Sequence, residues 1–217
     1  MKIEDKKIPF KEKVRRGHYL YFLYYYLYTR IMDRRIAHTS LEGFVCNEGD
    51  EIFPVQSASY RILDKLLPEI NIEKDDVYAD IGCGPGRLMG YLFLKGKMGM
   101  MNYGVDINRD AAELAGRIFA DKSNVKIIHG DATKAPISGV TVCTIYNPFG
   151  ETVMDSFLDH LEKTAANGCR VYYIHAVYEK CFIRRPEKWK CNKVSIIQPY
   201  LHIPVRLCEY MYTGGNV

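Results

Sequence analysis

Apolar and polar positions fall into two rhythms along this chain. From residue 76 onward, short apolar runs alternate with stretches whose apolar positions recur at spacings of three and four. The short runs predict strands at 77–81, 102–106, 124–128, 140–145, 169–176, 191–198 and 204–212. The stretches between the first five predict helices at about 85–96, 109–121 and 151–166. The last is the sharpest: Val153, Met154, Phe157, Leu158 and Leu161 share one face, and Asn167-Gly168 offers a C-cap. Strands alternating with helices predict an α/β fold: a Rossmann-like, seven-stranded, mostly parallel sheet with helices on both faces.

Upstream the rhythm changes. Pro54-Val55-Gln56-Ser57 leads into a predicted helix at 57–67, with Ser57 as N-cap and Ile62, Leu63, Leu66 and Leu67 on one face, stopped by Pro68. Further back, Tyr19 through Tyr28 is aromatic and aliphatic on every side, followed by Arg30, Arg34 and Arg35. It carries no Gly or Pro, so a helix is expected, with no clean polar face. Three roles fit residues 19–31: packing over the domain or against a second copy, peripheral anchoring at an anionic membrane, or a lid over substrate. The chain thus divides into a basic, aromatic, helical N-terminal extension (1–50) and a main domain (51–217).

Charge sharpens that division. Residues 1–40 hold ten Lys and Arg and four Asp and Glu, a net of +6 in a chain of +4 overall, so the rest is slightly acidic. A near-neutral main domain is not built to grip a long polyanion. No apolar run approaches the roughly 20 residues of a membrane-spanning helix, and the first residues lack the apolar core of a secretory signal. Seven cysteines occur with no C-x-x-C spacing. That pattern argues against a zinc or dithiol centre, and predicts no metal site and a reducing, cytoplasmic setting. The histidines show no metal-ligand spacing either.

The candidate chemistry begins at Asp80-Ile81-Gly82-Cys83-Gly84-Pro85-Gly86, between the first predicted strand and its helix. A strand, a Gly-rich turn and a helix N-terminus make a cradle for an anionic group. A dinucleotide fingerprint needs a glycine where Arg87 stands, and a P-loop needs Gly-Lys-Ser/Thr, which is absent. A parallel α/β sheet binds ligands beyond the carboxyl ends of its strands, so each strand end is a candidate. The second ends in Asp106, 20 residues past Gly86 and suited to a ribose diol, with Ile107 next to it for an adenine face. Asp106 also suits a helix cap. The third leads into Gly130-Asp131-Ala132, which is also ordinary turn chemistry. The fourth delivers Tyr146-Asn147-Pro148-Phe149.

The loop D-x-G-x-G-x-G resembles that of class I S-adenosylmethionine (SAM)-dependent methyltransferases. Together with Asp106, Gly130-Asp131-Ala132 and Asn147-Pro148-Phe149, the stretch 54–165 is similar to a bacterial group of small class I methyltransferases whose fourth strand ends in Asn-Pro-Phe. The resemblance implies SAM as cofactor. It implies that Asp80, Gly82, Cys83 and Gly84 cradle the methionine end and that Asp131 and Ala132 read the adenine edge. It also implies that Asn147 and Pro148 flank the methyl, and that Gln56, Ser57 and Tyr60 close over the ligand. Arg87 departs from the pattern and points either outward or toward an anionic substrate group.

Methyl transfer needs an acceptor held in line and a base only for hydroxyl or ammonium acceptors. Asn147, Glu151 and His175 are the candidate catalytic residues. Asn147-Pro148-Phe149 resembles the (Asp/Asn)-Pro-Pro-(Tyr/Phe) motif of amino methyltransferases, one proline short; a simple turn also explains it. Glu151 opens a helix, where an acid is favoured anyway. His175 ends the fifth strand, where a structural hydrogen bond is the ordinary reading. The basic stretch 178–190, with Trp189, suits either substrate recognition or a solvated face. Three functions stay open: methylation of a small-molecule, glycan-linked or lipid-linked acceptor; N-methylation of nucleic acid or protein; and a non-catalytic SAM-binding subunit.

Overall fold

In the computed structural model, residues 19–42, 57–199 and 203–214 are described. Helix α1 spans Tyr19–Ala37 and α2 Tyr60–Leu66. Then follow β1 (Val77–Ile81), α3 (Arg87–Leu94), β2 (Met101–Asp106), α4 (Arg109–Ile118), β3 (Val125–His129) and β4 (Val140–Ile145). The chain continues through α5 (Glu151–Thr164), β5 (Ala165–Ile174), α6 (Lys180–Ile183), β6 (Trp189–Ile197) and β7 (Val205–Tyr212). The seven strands form one sheet in the order β3-β2-β1-β4-β5-β7-β6, with β7 antiparallel to both neighbours and the other pairings parallel. This is the expected Rossmann-like sheet, and its order reverses between β1 and β4. Such a reversal opens a crevice at the carboxyl ends of those two strands.

Alternation along the central strands builds two cores. Ala79, Ile81, Cys143, Ile145, Val171 and Tyr173 face a layer made with Phe157, Leu158 and Leu161 of α5. Tyr78, Val142, Tyr172 and Ile174 face the other way, onto Tyr60, Leu63 and Leu66 of α2 and Met89 and Tyr91 of α3. Each fully buried Leu or Phe contributes roughly 1.5–3 kcal/mol, so the two layers fix the sheet between them.

Two local expectations change. Ser59, not Ser57, caps α2: its Oγ accepts from the Arg61 amide at 3.3 Å, while the Ser57 hydroxyl donates to the Leu41 carbonyl. The apolar face of the helix is unaffected. Asn167-Gly168 does not cap α5. The helix ends at Thr164, Ala165 is already extended, and Gly168 takes its positive φ of 83° inside β5.

Helix α1 lies on α2 and α3, not apart from the domain. Met32 and Asp33 are buried, and Ile36 packs where a Cβ on Gly90 would stand, so the glycine lets the two helices approach closely. The Tyr28 hydroxyl lies 2.7 Å from that of Tyr91, which donates to Asp64 at 2.6 Å. The opposite side of α1 stays apolar and exposed, with Leu20, Leu23, Leu27 and Ile31 in a row at helical spacing. Among the described residues, no helix is long and apolar enough to cross a membrane.

The main anchor of α1 is Arg87. Its guanidinium is buried and gives Nε to Asp33 Oδ1 at 3.1 Å and a terminal nitrogen to Oδ2 at 2.8 Å. The same carboxylate accepts from the Tyr60 hydroxyl at 2.7 Å and the Leu41 amide at 3.0 Å. Arg87 therefore points neither outward nor freely into the site: it ties the extension to the start of α3.

Candidate active site

A cavity of about 940 Å³ opens at the carboxyl ends of the parallel strands. That is the upper end of the range for small-molecule sites and leaves room beside a nucleoside-sized ligand. Ser57, Asp80, Gly82, Cys83, Gly84, Asp106, Ile107, Asp131, Ala132, Asn147, Pro148 and His175 all line it. Topology brings them together, because successive parallel strands present their loops at one edge. Gln56 lies outside the described residues.

The Gly-rich turn leaves β1 with Gly82 at φ 72°. The Gly82 and Cys83 amides both donate to the Val105 carbonyl, at 2.8 and 3.0 Å, which holds the turn against β2. A Cβ on Gly82 would stand 2.5 Å from the Pro148 Cβ. The turn and the end of β4 therefore touch only because this position is glycine.

Asp106 is buried and already engaged. One carboxylate oxygen accepts from the Gly84 amide at 2.6 Å and the other from the Asn108 amide at 2.8 Å. Helix α4 is capped instead by Asn108, which accepts from Ala111 at 2.9 Å. Burial raises the Asp106 pKa, and the two amides and His129 oppose the rise. Asp106 thus clamps the turn to β2 and keeps a further lone pair on each oxygen for a diol. Ile107 beside it is an exposed apolar side chain, available to a ring face. Asp131 is exposed and orders its own turn by accepting from the Thr133 amide at 2.8 Å.

Asp80 is the most telling group. Its Oδ1 accepts from the Thr144 hydroxyl at 2.8 Å. Its Oδ2 is the one buried side-chain oxygen or nitrogen without a hydrogen-bond partner among the described residues. Burial, assisted by the charge of Asp106, pushes the carboxyl up to about 7, against the opposing Thr144 hydrogen bond. A buried oxygen left unmatched at the floor of a cavity is a docking point for a donor, and an ammonium group suits it best.

Asn147 and His175 are two of the three non-glycine residues with positive φ among those described, at 44° and 55°. Each sits just past the end of a strand and faces the cavity, the usual place for such strain. Asn147 is held by a relay: the Tyr178 amide donates to the Tyr173 hydroxyl at 3.1 Å, which donates to Asn147 Oδ1 at 3.1 Å. Burial pushes Tyr173 up to about 12, so it stays a donor at neutral pH. Tyr146 also lines the cavity and is likewise pushed up to about 12.

Three expectations do not survive the geometry. Tyr60 does not line the cavity; it is buried edge-on against Tyr91 and bonded to Asp33. Glu151 does not line it either. Its carboxylate is paired with Lys180 and, at 3.1 Å, with Arg184, and these partners lower its pKa, which leaves it a poor base. Most cations of the basic stretch 178–190 are exposed or half-buried yet paired with acids of the protein itself. Arg184 pairs with Asp155, Arg185 with Asp155, Asp159 and Glu162, and Lys188 with Glu162, while Trp189 is buried and donates to Glu162 at 2.9 Å. These contacts dock α6 and β6 onto α5.

Thr152 and Ser156 of α5 line the cavity and were not singled out from sequence, and Val153, expected on the apolar face, lines it as well. The helical face opposite Met154 and Phe157 was the available signal.

Comparison with known proteins agrees with this geometry. A family model described as a methyltransferase domain matches residues 79–147, from β1 to Asn147. No curated protein matches the chain by sequence. Among solved structures, an RNA methyltransferase from Salinibacter ruber in complex with S-adenosyl-L-homocysteine superposes with a TM-score of 0.57 at 17% identity, covering 75% of this chain and 97% of its own. A SAM-dependent methyltransferase from Aquifex aeolicus gives 0.55 at 16% identity, covering 70% and 89%. The N-methyltransferase NodS from Bradyrhizobium japonicum WM9, in complex with S-adenosyl-L-homocysteine, gives 0.54 at 14% identity, covering 70% and 84%. At such identities the likeness establishes the methyltransferase fold. The matched domain and that fold support SAM as the cofactor.

Proposed function

We propose that the chain is a SAM-dependent methyltransferase acting on a small acceptor, free or carried on a glycan or lipid. The observation that carries the reading is the unmatched Asp80 Oδ2 beside the Gly-rich turn, in a cavity that also holds Asp106, Asp131 and Asn147. These donors and acceptors fit a ligand with an ammonium group, a ribose and an adenine ring. Asp80 would accept from the methionine ammonium, the N-terminus of α3 would favour its carboxylate, Asp106 would take the ribose diol, and Asp131 with the Ala132 amide the adenine edge.

When bound, SAM supplies a methyl group activated by a sulfonium, displaced in line by the acceptor's lone pair. Asn147, fixed by Tyr173, would orient the acceptor through its amide. His175 lines the cavity and, unlike Glu151, has no ion-pair partner among the described residues, and it would take the proton of a hydroxyl or ammonium acceptor. A small acceptor is favoured over a polymer because Lys180, Arg184, Arg185 and Lys188, four of the five cations of 178–190, are engaged in ion pairs within the protein. Binding to RNA or DNA that weakens steeply with salt would favour the polymer reading instead. Retained SAM binding with no turnover on any acceptor would favour the non-catalytic one.

Proton linkage gives one test. The folded Asp80 pKa of about 7 lies above the unfolded value of roughly 3.9. The ligand-free protein therefore gains stability as pH falls below 7 and has gained it fully once pH passes below the unfolded value. A bound ammonium favours the ionised carboxylate, so binding expels a proton. Affinity for S-adenosylhomocysteine should rise between pH 5.5 and 7.5, by up to about tenfold per unit, and level off above 8. The profile should flatten in Asp80→Asn. Calorimetry across pH checks this, and a flat wild-type profile would remove Asp80 from the ammonium site.

A further inference from the structure

A second cleft, of about 730 Å³, runs between α1, residues 38–42 and the start of α2. It shares Ser57, Ser59 and Arg87 with the cofactor cavity, so the two adjoin. Its charge is out of balance. Arg30 and Arg34 stand one turn apart on the same face of α1, an arrangement that repels unless an anion joins them. Arg61 reaches the cleft from α2. None of the three pairs with a carboxylate among the described residues: Arg30 donates to the Tyr26 hydroxyl at 2.9 Å, and Arg61 Nε to Ser59 Oγ at 3.4 Å. The acids of the cleft are Asp33 and Glu42, and both serve Arg87, at 2.8 and 3.4 Å. The contrast with 178–190, where Arg184 and Arg185 both have acidic partners, is sharp.

Beside these cations lie aromatic rings. The Arg61 guanidinium sits 5.7 Å from the centroid of Phe22 and 5.9 Å from that of Tyr25, both on the cleft wall. Three guanidinium-bearing side chains on one cleft suit a dianion with three oxygens better than a single carboxylate. Their gathering in one cleft, not along a surface stripe, suits a small ligand rather than a polymer.

We propose that this cleft holds the acceptor by a phosphate group, with an apolar or aromatic part of the molecule against Phe22 and Tyr25. The inference rests on the methyl-transfer reading and narrows its substrate to phosphorylated small molecules. Arg30 and Arg34 of the N-terminal extension, with Arg61 of α2, then set specificity beside the cofactor cavity.

Phenyl phosphate serves as the probe. The full chain is titrated calorimetrically with it at low salt, and with S-adenosylhomocysteine in parallel. Phenyl phosphate is expected to bind, and Arg34→Gln and Arg61→Gln should each weaken it by about tenfold or more. S-adenosylhomocysteine affinity should stay within about twofold in both variants, which also reports that they fold. No binding of phenyl phosphate, or binding by both variants as tight as by the wild type, overturns the proposal. Benzoate binding as tightly as phenyl phosphate overturns the phosphate assignment, and a single-stranded RNA binding far more tightly overturns the small-molecule one. If S-adenosylhomocysteine fails to bind, the methyl-transfer reading falls. If it binds and phenyl phosphate does not, only the cleft assignment falls.

Discussion

Asp33→Ala should cost about 3–5 kcal/mol of stability, the loss typical of removing one partner of a buried ion pair. Asp33 is 2% exposed, as is Arg87. Four donors converge on its carboxylate: two from Arg87, the Tyr60 hydroxyl and the Leu41 amide. Without it the guanidinium keeps only the Ala58 carbonyl at 3.3 Å and Glu42 at 3.4 Å. At this chain length the melting temperature should fall by about 6–20 °C. Asp33→Asn, which keeps the shape and loses the charge, should fall between. The pair Asp33→Ala with Arg87→Met should recover much of the loss, because no buried charge is then left alone. Urea unfolding measures all three. A loss below about 1 kcal/mol in Asp33→Ala would mean that α1 is not held through Arg87.

Gly82→Ala should damage stability and cofactor binding together. The residue sits at φ 72°, which costs a residue with a Cβ roughly 1–2 kcal/mol. The new methyl would meet Pro148 at 2.5 Å, a backbone-restrained ring that cannot swing aside. Relief must come from moving the turn away from β4. That displaces Asn147 on one side and the amides of Gly82 and Cys83 on the other. Stability should fall by more than about 2 kcal/mol, and S-adenosylhomocysteine affinity by at least about tenfold. Unfolding and calorimetry on one preparation check both. Normal binding in a fully folded Gly82→Ala would show that the turn does not touch the ligand.

Much of this was legible in the chain because it depends on short-range pattern. β1 and β4 fall at 77–81 and 140–145 as read, since each is an apolar run with sharp polar borders. The gathering of Asp80, Asp106, Asp131 and Asn147 follows from parallel topology alone, which puts every strand's carboxyl end at one edge. What escaped depends on distant partners or on ambiguous signals. Ser57 and Ser59 are equally good cap residues, and only the backbone turn between them decides. Gly168 carries the positive φ of a helix C-cap but uses it inside a strand. Tyr60 was read toward the ligand and Arg87 outward or toward a substrate anion, yet Asp33, 27 and 54 residues earlier, draws both into the interior. The acids of α5 that neutralise 178–190 lie about 25 residues upstream, at a pairing no local pattern encodes.

The arrangement also explains why α1 belongs with the site. Arg87 begins the helix that follows the Gly-rich turn, so its pairing with Asp33 ties α1 to the wall of the cofactor cavity. The extension carries the chain's excess positive charge and walls the cleft where an acceptor would enter.

The central claim, that the strand-end cavity binds SAM with Asp106 on the ribose, is tested most directly by titrating S-adenosylhomocysteine into the full chain and into Asp106→Ala. The wild type should bind one equivalent. The variant should lose about 1.5–3 kcal/mol, roughly ten- to 150-fold in affinity, from the charge-assisted bonds to the diol. No heat of binding in the wild type, or unchanged affinity in a folded Asp106→Ala, would contradict the account.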